Sequence, residues 1–185
     1  MTSTLKKISR RVALTLAVSA CFSPVTQAAE LLTEGVFKVG MEVTYPPFES
    51  YDSNNNIVGL DPDFAALIAQ HLQAKPQLID TKFTSLILGI GKKYDAVISG
   101  MYVTPERQKQ ADAIPYALSG ASIIALKGGA VQPKTEDELC GVKVGLQAGT
   151  TWVTSLKKHS DEWCLKNGKP AITIQEFPTA PEASQ

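Results

Sequence analysis

Apolar residues along this chain recur with two periods that alternate. At 36–43 (VFKVGMEV) they fall at every second position, the pattern of a strand with one face buried. Tyr45-Pro46-Pro47-Phe48 stops it, because proline cannot continue a ladder. Asp52-Ser53-Asn54-Asn55-Asn56 is turn material. Phe64, Leu67, Ile68 and Leu72 then repeat at helical spacing behind Asp61, expected as the helix cap, and Pro62, expected at the first helical position. Pro76 marks the stop. A second strand is expected over 77–80, a short helix opened by Phe83-Thr84-Ser85 and ended by Gly91, and a third strand over 94–99.

Thr104-Pro105-Glu106-Arg107 starts the next helix. The remainder predicts a strand at 120–126, a joint at Gly128-Gly129 and a capping box at Thr135-Glu136-Asp137-Glu138. Strands follow at 142–146 and 171–177, with a helix from Trp152 to about Leu165 between them; 178–185 closes without an element. Strands alternating with helices imply α/β units with parallel sheets. The second unit looks cut off.

Charge changes the picture at the amino end. The whole chain of 185 residues is neutral, but the first 28 residues hold Lys6, Lys7, Arg10 and Arg11 and no acid. The rest therefore carries 14 basic against 18 acidic residues, a net charge of −4. A mildly acidic body argues against nucleic acid and anionic membrane surfaces as partners. Basic 6–11, an apolar run at 12–22 too short to span a bilayer, and Thr26-Gln27-Ala28 read as a secretory signal cut after Ala28. Val18-Ser19-Ala20-Cys21 leaves open a rival lipoprotein cut with a lipid anchor at Cys21. In an oxidising compartment a disulfide is the default for the remaining pair, Cys140 and Cys164, with two free thiols the alternative. A metal site is a poor reading, because His71 and His159 lie at no ligand spacing from them.

Enzyme templates are not met. No G-x-S-x-G elbow occurs, and Gly89-Ile90-Gly91-Lys92 lacks the rest of a phosphate loop. What remains is a set of loops after strand ends, where open α/β sheets bind ligands. Tyr45, Phe83, Ser99 to Arg107 and Gly149-Thr150-Thr151 all fall there. Arg107 stands in the first turn of a helix, where the partial positive charge disfavours a cation unless an anion sits nearby. Taken singly, Tyr45 and Phe83 fit core packing, Arg107 a solvated surface, and Thr150 and Thr151 a helix cap.

Together, "TYPPFE" (44–49), "GLDPDFAALIAQHL" (59–72), "KKYDAVISGMYVTPERQKQADAIPY" (92–116) and "LCGVKVGLQAGTT" (139–151) resemble the extracytoplasmic amino-acid-binding proteins of ABC importers, solute-binding family 3. The resemblance implies a type II periplasmic-binding-protein fold of two α/β lobes closing about a hinge. The signal would be 1–28, the first lobe 29–119, and 120–185 a hinge strand with an incomplete second lobe. It implies that Arg107 grips the ligand α-carboxylate and that Tyr45 and Phe83 flank the side chain. Ser99 and Gly100 add contacts, and Thr150 and Thr151 cap the carboxylate from the second lobe. Tyr102 takes a position where the family usually has a small hydroxyl residue, and narrows the pocket. The ammonium-binding aspartate is expected beyond Gln185, so the chain is expected to be a fragment that folds or binds poorly alone. The function implied is a monomeric periplasmic receptor for a polar amino acid or similar zwitterion, without cofactor, handing cargo to an inner-membrane ABC permease. A cyclohexadienyl-dehydratase-like enzyme with Glu42 as proton donor, and the sensor domain of a membrane receptor, are the rival readings. The signal predicts exported protein starting at Ala29; intact-mass measurement checks this, and a diacylated Cys21 would establish the lipoprotein cut instead.

Overall fold

The computed structural model describes residues 30–185. The expected signal cut and Cys21 lie outside the described residues.

β1 (Val36–Met41) is the central strand of a parallel three-stranded sheet of order β4-β1-β5, with β4 at Lys75–Asp80 and β5 at Ala96–Val97. The period of two is real. Phe37, Val39, Met41 and Val43 are buried in one cluster with Ile98 and with Ala65 and Ala69 of α1 (Leu60–His71). Burying a large apolar side chain of this kind stabilises by roughly 1.5–3 kcal/mol. On the other face, Gly40 lets the sheet approach a buried aromatic ring. A Cβ there would lie 2.7 Å from Tyr94 Cζ. The Tyr94 hydroxyl donates to the Leu86 carbonyl at 2.6 Å, tying it to α2 (Leu86–Gly89).

Several expectations need correction. Asp61 is not a cap. Gly59 occupies the cap position without a side-chain bond, and Asp61 lies inside α1, fully buried. The buried stripe of α1 is also rotated: its alanines meet the sheet, while Leu67 is 61% exposed and Phe64 leans on Tyr116 with ring centroids 5.6 Å apart. Small side chains allow the close helix–sheet approach, and the larger ones are left at the rim. The second strand begins earlier than expected and includes Pro76. β4 pairs only with β1, and an edge strand tolerates a missing donor. The third strand is shorter than 94–99, although the amides of Asp95 and Ile98 also donate to β1. The turn at 52–56 joins an antiparallel hairpin, β2 (Ser50–Tyr51) to β3 (Ile57–Val58), with the Asp52 carboxylate accepting from the Asn54 and Asn56 amides.

No strand forms at 120–126. Among the described residues no strand lies beside this segment to take its amides and carbonyls, and Ile124 is 85% exposed. The second unit pairs β6 (Lys143–Gln147) in parallel with β7 (Thr173–Phe177), joined by α4 (Thr151–His159), which runs on through a π turn to Cys164 and a tighter turn to Asn167. The Thr135 hydroxyl makes no cap bond, and the Glu138 carboxylate accepts from the Lys134 amide instead of closing a box. The chain does close with an element: α5 (Ala180–Ala183), capped reciprocally by Thr179 and Glu182.

Cys140 and Cys164 form the expected disulfide, with Cα atoms 5.6 Å apart. It ties the entry of β6 to the far end of the α4 segment, inside the small core of Leu139, Leu156 and Ile172. Closing a loop with a sequence separation of 24 restricts the unfolded chain by about 3 kcal/mol. Replacing both cysteines by alanine is therefore expected to lower stability by that order in equilibrium unfolding, and thiol titration of the unfolded, unreduced chain should find none free.

Candidate ligand-binding site

The loops leaving the carboxyl ends of β1, β4, β5 and β6 meet at one cleft, part of a cavity of about 1230 Å³ that continues along 120–131. All eight predicted site residues line it: Tyr45, Phe83, Ser99, Gly100, Tyr102, Arg107, Thr150 and Thr151. So do Glu42, Glu49, Gln147 and Trp152, which the sequence reading left out of the binding set.

Arg107 is set by α3 (Pro105–Gln108), whose cap Thr104 accepts the Arg107 amide through its hydroxyl at 3.2 Å. The guanidinium bridges the two units. One amino group donates to the Tyr102 carbonyl at 2.7 Å and the other to the Gly149 carbonyl at 3.0 Å. Its carbon sits 5.6 Å from the centre of the Phe83 ring, a cation–π arrangement. Burial lowers its pKa from the ordinary value, but arginine stays charged throughout the physiological range. Two of its five N–H groups are thus engaged with protein, and the others can serve an anion in the cleft.

Glu42, one residue past β1, is buried at the cleft floor. Its carboxylate accepts the Phe83 amide at 3.0 Å, the Thr44 hydroxyl at 3.3 Å and the side-chain amide of Gln147 from the second unit. Tyr102 meets Trp152 edge-on across the cleft, ring centroids 5.1 Å apart. Tyr45 stacks on Phe48 at 5.2 Å and stays half-exposed, its ring open to the cleft.

Ser99 and Gly100 line the floor with their donors turned inward. The Ser99 hydroxyl donates to Glu49 at 2.6 Å and accepts from the Glu42 amide at 3.0 Å. The Gly100 amide donates to Asp61 at 3.1 Å and to the Tyr116 hydroxyl at 3.0 Å. Gly100 takes φ +54°, with the Tyr45 ring 3.4 Å from where a Cβ would stand, so a larger residue there would be strained. The Thr150 hydroxyl turns back to the Gln147 carbonyl at 2.8 Å and does not cap α4. The first amides of α4 therefore have no side-chain partner and carry partial positive charge. Aromatic faces, a guanidinium fork, a helix amino end and a buried carboxylate thus line one cleft at the mouth of an α/β sheet, a set of donors, acceptors and flat faces suited to a small charged molecule.

The chain matches bacterial extracellular solute-binding proteins, family 3, over residues 37–172, and it belongs to that family. It is 42% identical over 137 residues to ABC transporter arginine-binding protein 1 of Escherichia coli K12, covering 73% of this chain and 53% of that one. It is 33% identical over 149 residues to the L-cystine-binding protein TcyJ of the same strain, covering 78% and 53%. The chain thus spans about half the length of the curated relatives it matches. Among solved structures it resembles an ancestral arginine-binding protein bound to glutamine, with TM-score 0.72 and 35% identity, over 82% of this chain and 64% of that one. It also resembles an ancestral amino acid-binding protein described as a precursor of cyclohexadienyl dehydratase, with TM-score 0.67 and 33% identity, over 80% and 63%. The fold matches these periplasmic-binding-protein-like structures, and among the described residues the second unit has two paired strands.

Gln147 and Trp152 carried a readable signal: a polar residue closing a half-buried strand, and an aromatic just inside a helix that starts at the cleft. Because Trp152 packs on Tyr102, Tyr102→Ala is expected to uncover the indole. Difference fluorescence between variant and wild type should show Trp152 emission shifted to the red; unchanged emission would contradict the contact.

Proposed function

We propose that this protein is the substrate-binding component of an ABC importer and that it captures an amino acid with a cationic side chain, arginine foremost. The observation that carries the reading is the pairing of a guanidinium with a buried carboxylate in one cleft. Arg107 and the amino end of α4 offer donors to the α-carboxylate, which a guanidinium binds bidentately. Glu42 offers an acceptor to a cationic side chain, while Tyr45, Phe83, Tyr102 and Trp152 supply flat faces for its apolar stem. The names of relatives support the class: they bind arginine, L-cystine or histidine, which share the α-amino and α-carboxylate groups. Residues 29–119 form the first lobe on this reading, and 120–185 the link and second lobe.

The protein would be exported by the 1–28 signal to the periplasm, work as a monomer and dock on an inner-membrane permease. It does no chemistry in this account. A dehydratase would need a proton donor over the ring, but all three partners of the Glu42 carboxylate are donors, so it is committed as an acceptor. Incubation with prephenate is expected to yield no product.

Calorimetric titration tests the assignment. L-Arginine should bind and L-citrulline, its neutral counterpart, bind far more weakly. Glu42→Gln should shrink that preference. Arg107→Ala should weaken arginine by roughly 2–5 kcal/mol, since it leaves the carboxylate without its partner, and Arg107→Lys, which keeps the charge but loses the fork, by less. Equal affinity for arginine and citrulline would overturn the cationic reading. Unchanged affinity in Arg107→Ala would overturn the carboxylate anchor.

A further inference from the structure

Beneath the cleft lie two acids that no ligand role accounts for. Glu49 is 1% exposed and Asp61 is fully buried. Each has one oxygen with ordinary partners. Glu49 Oε1 accepts the Ser99 hydroxyl, and Asp61 Oδ2 accepts the Gly100 amide and the Tyr116 hydroxyl. The other oxygens, Glu49 Oε2 and Asp61 Oδ1, are buried without a hydrogen-bond partner. Consecutive residues hold the two carboxyl groups, the Ser99 hydroxyl donating to Glu49 and the Gly100 amide to Asp61, and the Asp61 side chain is among the groups that raise Glu49. Two ionised carboxylates can only accept, so both leftover oxygens would be unpaired and the charges would repel. One proton between the groups resolves both problems.

We propose that Glu49 and Asp61 share a single proton, and that this carboxyl–carboxylate pair is a positioning device holding the Ser99–Gly100 floor of the cleft to α1 and to Tyr116. Three segments converge on it. Glu49 comes from the loop before β2, Asp61 from the first turn of α1, and Tyr116 from the segment linking the two units. The titratable groups facing Glu49 are Asp61, Glu42 from the end of β1, and Tyr116. Burial first, then the neighbouring acids Asp61 and Glu42, push Glu49 up to about 8 against the opposing bond from Ser99. Burial beside Asp61 likewise pushes the Tyr116 phenol up, keeping it a donor. None of these residues needs to touch a ligand. The pair acts through the loop it holds.

The pH dependence follows from the direction of the shift. The ordinary value for Glu49 is 4.5, and the folded value is about 8. Between the two the folded chain binds a proton that the unfolded chain has released, so this pair's contribution to stability falls as pH rises through the window. The loss approaches about tenfold in the unfolding constant per pH unit.

Infrared spectroscopy of the full chain tests the proton directly. At neutral pH wild type should show the carbonyl stretch of a buried protonated carboxyl group. Glu49→Gln, whose amide can donate to Asp61 and accept from Ser99, should lack it. The unfolding constant of wild type relative to Glu49→Gln should rise across the window by about tenfold per pH unit. Amide exchange at Gly100, corrected for intrinsic rate, should lose protection in wild type above about pH 8 and keep it in Glu49→Gln. If Glu49→Gln does not fold, Asp61→Asn removes the charged acceptor, and the wild-type carboxyl band should move in frequency. No protonated-carboxyl band in wild type, a band unmoved by both substitutions, or parallel pH profiles would overturn the proposal.

Discussion

Three carboxyl groups, those of Glu42, Glu49 and Asp61, are buried at the carboxyl ends of the first sheet, and much of the cleft is arranged around that fact. A buried carboxylate without donors costs several kcal/mol, so the chain must bring donors to it. They come from far along the sequence: the Phe83 amide, the Ser99 hydroxyl, the Gly100 amide, the Tyr116 hydroxyl and the side-chain amide of Gln147. Satisfying them draws the loops after β1, β4 and β5 to one point and brings the end of β6 against them. The apolar packing of Val39, Met41, Ala65 and Ala69 beneath sets where that point lies.

Much of this was legible in the sequence, and the reasons are physical. Alternation at 36–43 gave away β1 because Phe37, Val39, Met41 and Val43 all turn to one core cluster. The helix at α1 declared itself by spacing, but not which of its faces is buried. That depended on how closely the sheet approaches, which Ala65 and Ala69 decide and the larger Leu67 does not. Aspartate before proline at a helix start is usually a cap, and that is all the local sequence around Asp61 shows. Its true partners, Gly100 and Tyr116, lie 39 and 55 residues away, beyond any local pattern. The strand expected at 120–126 has β composition, but among the described residues no strand lies beside it, and composition alone cannot supply a ladder. In the opposite direction, Thr179 and Glu182 have the spacing of a capping box, but the helix they cap, Ala180–Ala183, is too short to show a period.

The predicted site residues were found as a set through the order and spacing of four motifs, and the structure brings all eight to one cleft. It also separates what each donor does. Ser99 and Gly100 spend theirs on the buried acids beneath. Arg107 keeps part of its fork for the cleft while clasping the second unit through the Gly149 carbonyl. Together with the Glu42–Gln147 bond and the Tyr102–Trp152 contact, that clasp ties the two units together across the cavity. A ligand carboxylate arriving at Arg107 would strengthen the same bridge, so that binding in the proposed function would be coupled to the joining of the two units.

A crystal structure of the protein with L-arginine bound would test that coupling most directly. The account predicts the amino acid in this cleft, its α-carboxylate within hydrogen-bonding distance of Arg107 and of the first amides of α4, and its guanidinium directed at Glu42. A ligand seated elsewhere, or seated here with its carboxylate turned away from Arg107, would contradict it.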